Sequence, residues 1–248
     1  MTISIITVVY NNKATIKDAI ESVLMQTYED IEYIIIDGAS TDGTVEIVKS
    51  YGDKISKFIT ESDNGLYDAM NKGIALATGD VVGILNSDDF YINDKVIEKI
   101  ANQFKDTKVD SIFADLVFVQ PDNLDKTVRY YDSSQFHPSK FAYGWMPAHP
   151  TFFVKKEFYV KYGVYKIDYK IAADYELLTR FLAKYQISYM YLNEPLIKMR
   201  LGGISTRGFM SNYILNKEII RACDENGIKT NWLKVLSKYP KKLMELKG

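Results

Sequence analysis

Four apolar runs alternate with segments of helical periodicity in the first 90 residues, and this alternation limits the fold more than any other feature of the chain. The first two runs, residues 3–9 and 31–37, are typical of strands that are buried on both faces, since they contain few polar side chains. The other two runs occupy residues 55–60 and 81–85. Strands joined by helical crossovers in this order predict an α/β fold, with a mostly parallel central sheet and helices on both faces.

The second half of the chain has a looser pattern. Residues 109–119 and 126–132 predict an antiparallel pair of strands, and residues 173–185 predict one amphipathic helix. Two short strands are expected at residues 188–192 and 195–200. The residues that follow have a helical pattern, so we expect C-terminal helices beyond the sheet.

Composition excludes several classes of site. The formal net charge is −1, which argues against a nucleic-acid-binding protein that works by charge alone. Cys223 is the only cysteine, so no intrachain disulfide can form, and two histidines with one sulfur cannot build a zinc cluster. A metal would therefore be held by oxygen ligands, which favour Mg²⁺ or Mn²⁺. The first residues lack the basic start of a signal peptide, and no apolar run is long enough to span a membrane, so we expect a cytoplasmic protein.

Polar side chains follow the predicted parallel strands at the points where these strands end. Tyr10 and Asn11 follow the first strand, Asp37 ends the second, and Asp88 and Asp89 follow the fourth. The carboxyl ends of parallel strands meet at one edge of the sheet, and ligands of such sheets bind there. Two adjacent aspartates repel each other, which favours a cation beside them, whereas aspartate also favours turns and helix N-caps. From these residues alone, a cation site and a structural turn remain alternatives.

Five segments of the chain carry motifs of a known family. The first is "SIITVVYNNKATIKDAIESVLMQTYEDIEYIIIDGASTDGT", and the second is "DNGLYDAMNKGIALATGD". The others are "GILNSDDF", "HPTFFVKK" and "AADYELLTR". In this order, from Ser4 to about Ser205, they resemble the family-2 nucleotide-sugar glycosyltransferases, which have the GT-A fold. The resemblance implies a GT-A domain with a Rossmann-like core in residues 1–205, comprising a nucleotide-binding half (1–105) and an acceptor half (106–205), and a C-terminal helical extension in residues 206–248.

The resemblance also implies an inverting transfer of a sugar from a nucleotide diphosphate donor, a UDP-sugar or a related one, to an acceptor hydroxyl. The acceptor would be a saccharide or a lipid-linked saccharide in the assembly of polysaccharide, lipopolysaccharide or another glycoconjugate. A divalent cation, Mn²⁺ or Mg²⁺, would stabilise the charge on the leaving diphosphate. The family's Asp-x-Asp metal motif is Asn86-Ser87-Asp88 here, so Asp88 is expected to bind the metal directly and Asp89 to support it. Asn86 brings no charge and is expected to hydrogen-bond a ribose hydroxyl.

The nucleotide-binding residues follow from the same resemblance. Asp37 is expected to accept a hydrogen bond from the N–H of the nucleotide base, and its alternative is a helix-capping turn with Ser40 and Thr41. Tyr10 is expected to stack on the base, with a core aromatic as its alternative. The residues assigned to the nucleotide site are Thr7, Tyr10, Asn11, Asp37, Asp63, Gly65, Asn71 and Asn86.

Inverting transfer requires a general base on the face opposite the leaving group. The resemblance assigns this role to Asp174, at the start of a predicted helix where an N-cap is the alternative role. The family's acid often follows another acid, whereas this chain has Ala173. Glu176 is the rival acid, although on a helix it points about 200° away from Asp174. His149 is expected on the acceptor or diphosphate side and Arg200 beside phosphate, unless they are a structural histidine and a surface arginine.

The C-terminal segment, residues 229–248, interleaves lysines with apolar side chains. Such a stretch can lie on an anionic membrane surface, which would place the protein at the inner face of the plasma membrane. The alternative is a helix that packs on the domain and exposes a solvated, lysine-rich face.

Two other functions stay open at this stage. A nucleotidyltransferase also uses a parallel sheet with acidic metal ligands, but it usually needs a glycine-rich loop after the first strand. Here that loop is "YNNKAT", which contains no glycine. A catalytically inactive nucleotide-sugar-binding module remains compatible with the chain because Asn86 and Ala173 depart from the family pattern.

Overall fold

Nine strands of the described residues form a single sheet, and helices cover both of its faces. The structure is a computed structural model, and it describes residues 1–201 and 208–239. The strands are β1 (Ile3–Val9), β2 (Ile31–Asp37), β3 (Lys57–Thr60), β4 (Val81–Asn86), β5 (Asp89–Tyr91), β6 (Ser111–Gln120), β7 (Asn123–Tyr131), β8 (Phe153–Lys155) and β9 (Tyr189–Arg200). The helices are α1 (Ile16–Leu24), α2 (Thr44–Lys49), α3 (Leu66–Leu76), α4 (Val96–Asp106), α5 (Lys156–Tyr162), α6 (Ala173–Leu178), α7 (Gly208–Glu225) and α8 (Trp232–Leu236). Short 3₁₀ turns occupy Gly52–Lys54, Pro138–Tyr143 and His149–Thr151.

The sheet has the strand order β3-β2-β1-β4-β8-β6-β9-β5, and β7 pairs with β6. The first four of these strands are parallel. In the rest of the sheet, β9 is parallel to β6, whereas β5, β7 and β8 are antiparallel to their neighbours. The predicted α/β fold is confirmed. Its parallel part follows the helical crossovers of the first half, while the second half gives a mixed sheet because β5, β7 and β8 run antiparallel to their neighbours.

Strand β1 shows how the two faces of the sheet are covered. Successive residues of a strand point to opposite faces, so β1 divides its side chains between two cores. Ile6 and Val8 pack with residues of α3, α6 and α7. Ile3 and Ile5 pack with residues of α1 and α4. The prediction of helices on both faces is therefore confirmed.

Three elements differ from their prediction. The helix expected at residues 173–185 is α6 followed by a π-helical segment, Thr179–Lys184. The two short strands expected after residue 187 are one strand, β9, whose register against β6 shifts next to Pro195. This shift fits a proline, which has no N–H to donate to the neighbouring strand. β5 has no counterpart in the prediction because its three residues depend on pairing with β9, which is distant in sequence.

The C-terminal helices pack onto the domain. Ile219, Ala222 and Cys223 of α7 and Val235 of α8 belong to the core that α3 and α6 share. Residues 202–207 and 240–248 lie outside the described residues, and the second of these ranges is the last part of the predicted basic tail. Among the residues that are described, no helix is both long enough and apolar enough to cross a bilayer.

Candidate active site

The ends of three parallel strands form one rim of the sheet. Asp37 at the end of β2 pairs with Val9 of β1 and with Thr60 of β3. Asn86 at the end of β4 pairs with Val8. Asp37 and Asn86 are thus two strand spacings apart, roughly 10 Å, which is the scale of a nucleotide.

Asp37 is fully buried, and its carboxylate is only half satisfied. Its Oδ2 accepts hydrogen bonds from the backbone N–H of Ser40 at 2.9 Å and from the Thr60 hydroxyl at 2.6 Å. Its Oδ1 has no partner among the described residues. A buried oxygen without a donor is unfavourable, so this atom is suited to a ligand N–H. The capping-turn alternative is partly right, since the Ser40 contact is such a turn, but it leaves Oδ1 unexplained.

Tyr10 and Asp63 pack against the backbone of Gly38, directly after Asp37. A Cβ atom at Gly38 would lie 2.5 Å from Asp63 Oδ2 and 3.3 Å from the Tyr10 ring, so a larger residue there would displace the Asp63 carboxylate. The other Asp63 oxygen accepts the N–H of Gly65 at 2.8 Å, and Gly65 has a φ of 104°, which favours glycine. Tyr10 is 66% exposed, so it is not a core aromatic. These contacts bring four predicted nucleotide-site residues to one end of the rim.

Two other predicted nucleotide-site residues are placed elsewhere. Thr7 is fully buried, and its hydroxyl lies 3.1 Å from the Tyr33 hydroxyl, so the prediction that it lines the rim is wrong. It precedes the end of β1 by two residues and points into the core. Asn71 uses both ends of its amide on the backbone of Tyr165, donating at 2.8 Å and accepting at 2.9 Å. Its side chain therefore braces the segment before α6 and is not available to a nucleotide.

Asn11 ties neighbouring loops of the rim together. It has a positive φ of 46°, its N–H donates to the Ser40 hydroxyl at 2.7 Å, and its Oδ1 accepts the N–H of Thr41 at 2.8 Å. The adjacent Asn12 donates to the Ser87 hydroxyl at 2.9 Å. Hydrogen bonds thus connect the loops after β1, β2 and β4. Asn11 contributes to this network by its two hydrogen bonds to the loop after β2.

The turn between β4 and β5 carries the predicted metal motif. The Asp88 carboxylate is half-exposed, and only the main-chain oxygen of this residue accepts a hydrogen bond within the described residues. Asp89 is fully buried, and its Oδ2 accepts from the Asn86 amide at 3.2 Å. Oδ1 of Asn86 and Oδ1 of Asp89 have no partner in the described part of the chain. Burial and then the charge of Asp88 raise the pKa of Asp89 well above its ordinary value, although the Asn86 hydrogen bond and Arg200 oppose this.

Arg200 is not the free phosphate-binding group that was predicted, nor is it a surface arginine. β9 pairs with β5, and this brings the buried Arg200 side chain to the β4–β5 turn. Its Nη1 donates to the main-chain oxygen of Asp88 at 2.5 Å, and its Nη2 forms an ion pair with Asp18 of α1. The guanidinium also lies 5.0 Å from the centre of the Phe90 ring. Arg200 therefore holds the turn that carries Asp88.

The β4–β5 turn fits a cation that a substrate helps to bind. The described residues contain no group of three or more His, Cys, Asp or Glu side chains that could hold a metal by themselves. Mg²⁺ and similar ions are usually held by one or two carboxylates together with substrate phosphates and water. Asp88, half-buried and with an unused carboxylate, suits that arrangement, while the buried Asp89 is hydrogen-bonded to the Asn86 amide.

Asp174 and His149 form a pair beside the carboxyl end of β4, the strand that ends in Asn86. β8 is antiparallel to β4, with Gly83 opposite Phe153, so the residues that precede Phe153 lie beside the carboxyl end of β4. His149 Nδ1 is 3.2 Å from Asp174 Oδ2, and Asp174 Oδ1 accepts the N–H of Tyr175 at 2.7 Å. The two side chains are 28% and 15% exposed. The structure therefore brings together two residues that the sequence analysis left separate.

Glu176 does not share this environment. It is fully buried, and its carboxylate contacts Arg180 at 2.9 Å, Lys166 at 3.2 Å and the Asn226 amide at 3.2 Å. As helix geometry predicted, it points away from Asp174. Glu176 belongs to a structural ion-pair network and is not available as a base.

Comparisons with known proteins identify the family. The model of the family described as Glycosyl transferase family 2 matches residues 4–162, well over half of the chain. The chain belongs to glycosyl transferase family 2. It is 31% identical over 231 residues to an uncharacterized glycosyltransferase of Rickettsia typhi, and the match covers 88% of this chain and 70% of the relative. Membership of this glycosyltransferase family argues against the nucleotidyltransferase alternative.

Solved glycosyltransferase structures share the fold. S. aureus TarS 1–349, in complex with UDP-GlcNAc, matches with a TM-score of 0.68 at 17% identity over 92% of this chain and 68% of that one. The mannosyltransferase PcManGT from Pyrobaculum calidifontis, in complex with GDP-Man and Mn²⁺, matches with a TM-score of 0.65 at 18% identity over 90% of this chain and 63% of that one. The longer TarS chain is spanned to only 41%. The likeness shows the GT-A fold.

Sequence reasoning missed two residues of this glycosyltransferase that hold its candidate site. Thr60 donates to Asp37, and its position as a polar residue at the end of a strand was a usable signal. Glu218 accepts hydrogen bonds from the backbone before α6, and nothing in the sequence pattern indicates this contact.

Glu176→Ala is expected to destabilise this glycosyltransferase by about 3 kcal/mol, because removing one partner of a buried ion pair leaves Arg180 uncompensated. Urea unfolding measures this difference. Glu157→Ala is the matched control, since Glu157 is exposed on α5. Unchanged stability of Glu176→Ala together with lost activity would instead restore Glu176 as the rival base.

Proposed function

We propose that the chain is an inverting glycosyltransferase that moves a sugar from a nucleotide diphosphate donor to an acceptor hydroxyl. The observation that carries the proposal is the set of unused oxygens along one rim. Oδ1 of Asp37 and Oδ1 of Asn86 are buried without partners, and the free carboxylate of Asp88 lies two residues after Asn86. The Asp174–His149 pair lies beside the carboxyl end of β4, on the side where an acceptor would approach.

Donor recognition begins at Asp37. Its unpartnered Oδ1 accepts the ring N–H that both uracil and guanine present, and the exposed Tyr10 ring stacks on the base. Asn86 Oδ1 accepts from a ribose hydroxyl. UDP-sugars are the first donors to test and GDP-sugars the second, since TarS is described with UDP-GlcNAc and PcManGT with GDP-Man.

Asp88 would hold a divalent cation, Mn²⁺ or Mg²⁺, against the donor diphosphate. When bound, that ion supplies stabilisation of the negative charge that grows on the leaving phosphate. Arg200 and Asp89 would support cation binding without contacting the ion. Arg200 fixes the main chain of Asp88, and Asp89 fixes the Asn86 amide. The described complex of PcManGT with Mn²⁺ supports the choice of ion.

Asp174 would act as the general base. It takes the proton from the acceptor hydroxyl, whose oxygen bonds to the anomeric carbon on the face opposite the diphosphate. The sugar–phosphate bond breaks, its electron pair leaves with the diphosphate, and the configuration at the anomeric carbon inverts. His149 Nδ1, 3.2 Å from Asp174 Oδ2, would hold the carboxylate in place. The acceptor would be a saccharide or lipid-linked saccharide in glycoconjugate assembly.

Thermal unfolding with UDP, GDP, UDP-GlcNAc and GDP-Man, each with and without Mn²⁺, tests donor binding. Release of nucleotide diphosphate from a stabilising donor then separates an enzyme from an inactive binding module. Proton NMR of the first sugar product formed with a saccharide panel reports inversion or retention. Donor binding without any nucleotide release, with Mn²⁺ and saccharides present, would favour the inactive module.

Peripheral contact with an anionic membrane, at the inner face of the plasma membrane, forms a further part of this proposal. An apolar patch on α7 and α8 supports it, comprising Met210, Tyr213, Trp232, Leu233 and Leu236. All five side chains are exposed, Leu233 to 82%, and the Tyr213 and Trp232 rings stack with centroids 5.8 Å apart. Aromatic side chains in a segment that also carries lysines, such as Lys229 and Lys234, suit the boundary between lipid headgroups and acyl chains.

A Trp232→Ser/Leu233→Ser double variant is expected to bind phosphatidylglycerol vesicles about tenfold more weakly than the parent. Full burial of one such side chain contributes about 1.5–3 kcal/mol, and tenfold in affinity is about 1.4 kcal/mol, so the expected loss corresponds to partial burial of the two side chains in the membrane. Vesicle sedimentation at low salt measures the binding, and phosphatidylcholine vesicles test the need for negative charge. Val160→Ser is the matched control, since Val160 is an exposed apolar residue on α5. A parent chain that does not sediment with anionic vesicles would end this part of the proposal.

A further inference from the structure

A buried carboxylate of the C-terminal helix α7 binds the backbone directly before α6. Glu218 Oε1 accepts the N–H of Lys170 at 2.7 Å, and Oε2 accepts the N–H groups of Ile171 and Ala172, both at 2.9 Å. Three consecutive N–H groups thus converge on one carboxylate. Ala172 is the N-cap residue of α6, and Asp174 is the second residue of that helix.

The segment that Glu218 holds is also fixed by α3. The Tyr67 hydroxyl donates to the carbonyl of Ile171 at 2.5 Å. Ile171 therefore uses its N–H on α7 and its C=O on α3. The peptide group between Ile171 and Ala172 is held at both its polar atoms, its C=O by Tyr67 and its N–H by Glu218, so its orientation is fixed and the direction of the first turn of α6 follows from it.

Other α7 side chains contact an earlier and more exposed part of the same loop. Glu225 binds Lys166 at 2.6 Å and the Tyr169 hydroxyl at 2.9 Å, and Arg221 pairs with Asp168. These charges are partly open to water, where such pairs contribute little. Glu218 differs because it is buried and because its contacts reach the residues adjacent to Asp174.

We propose that Glu218 is a positioning residue of the active site, through which the C-terminal helix α7 holds Asp174 against His149. The inference rests on the proposed role of Asp174, but the contact between Asp174 and His149 can be measured without any substrate. Three charge-assisted hydrogen bonds orient the peptides at residues 170–172, and α6 then begins in the direction that brings Asp174 Oδ2 to His149 Nδ1. The orientation of Asp174 thus depends on Glu218, which lies 44 positions later in the chain and outside the region that the family model matches.

Histidine-selective NMR of the full chain tests the positioning role directly. The chain has two histidines, so His137 serves as an internal reference for His149. Asp174→Asn gives the ring signals of His149 without a carboxylate partner. Glu218→Ala is expected to move the His149 signals in the same direction and by a comparable amount, while the His137 signals stay in place.

Two further variants sharpen the measurement. Glu218→Gln retains one acceptor oxygen, so it should move the His149 signals less than Glu218→Ala, and it replaces that variant if the alanine change prevents folding. Asp224→Ala, at an exposed acid of the same helix, should leave both histidines unchanged. If neither Glu218 variant moves the His149 signals in a folded chain, the inference is overturned.

Nucleotide release from UDP-GlcNAc gives the functional readout. Glu218→Ala is expected to lower the rate by up to about 10²-fold, the effect of a small misplacement of a reacting group, while the affinity for UDP stays constant. In an Asp174→Asn background it should cause no further loss, since both changes act through one carboxylate. Additive losses would reduce Glu218 to a structural role. If Asp174→Asn itself keeps the parent rate while the His149 signals still respond to Glu218, the proposed base is wrong but the positioning contact stands.

Discussion

Replacing Asp88 by alanine is expected to abolish the cation-dependent stabilisation of the chain by UDP and to leave the fold unchanged without nucleotide. Asp88 is half-exposed, and its carboxylate accepts no hydrogen bond from the described residues, so its removal leaves no buried group without a partner. A ligand at a hundred times its Kd stabilises a fold by about 2.7 kcal/mol, and an effect of that order should disappear. Thermal unfolding with UDP, in the presence and absence of Mn²⁺, measures it.

Asp94→Ala is the matched control for this experiment, because Asp94 is an exposed acid in the loop that follows β5. It should respond to UDP and Mn²⁺ as the parent does. Removing the ion from the parent with EDTA should reproduce the behaviour of Asp88→Ala. Equal stabilisation of the parent and Asp88→Ala by UDP with Mn²⁺ would show that Asp88 does not bind the cation.

The sequence predicted those parts of the fold in which each strand is followed by its own helix. The strands β1 to β4 are recognisable because their apolar runs and the helical periods between them are local features. The second half depends on pairings that no local pattern contains. β8 lies between β4 and β6, and β5 pairs with β9. The strands that surround the metal motif therefore come from parts of the chain that are far apart in sequence.

The same distinction applies to the candidate site. Asp37 and Asp88 were placed on one rim because the ends of parallel strands share one edge, which is a consequence of topology alone, whereas Asn86 was assigned through the resemblance to the family's metal motif. Thr7 and Arg200 were assigned wrongly, since chain position does not reveal which way a side chain points or whether it already has a partner. Arg200 pairs with a residue 182 positions earlier, and the sequence gives no sign of that ion pair.

Asp174→Asn is expected to lower sugar transfer by about 10²–10⁴-fold, the usual contribution of general-base catalysis. Asparagine has nearly the size of aspartate, and its amide oxygen can still accept the N–H of Tyr175, but it cannot take a proton. UDP and Mn²⁺ should stabilise the variant as they do the parent, because Asp174 is not among the residues that would bind the nucleotide or the cation. Initial rates of nucleotide release, with a saturating donor and a saccharide panel, measure the loss.

The control for this substitution must remove one negative charge without touching the site. Asp122→Asn does so, since Asp122 is exposed in the tight turn between β6 and β7, and it should keep the parent rate. Glu176 is already excluded as a substitute base by its burial and its ion pair with Arg180. If Asp174→Asn retained the parent rate, the proton would have to pass to His149, whose ring contacts Asp174 through Nδ1. His149→Ala should then lose the transfer rate that Asp174→Asn keeps. The two variants together therefore determine which member of the pair takes the proton.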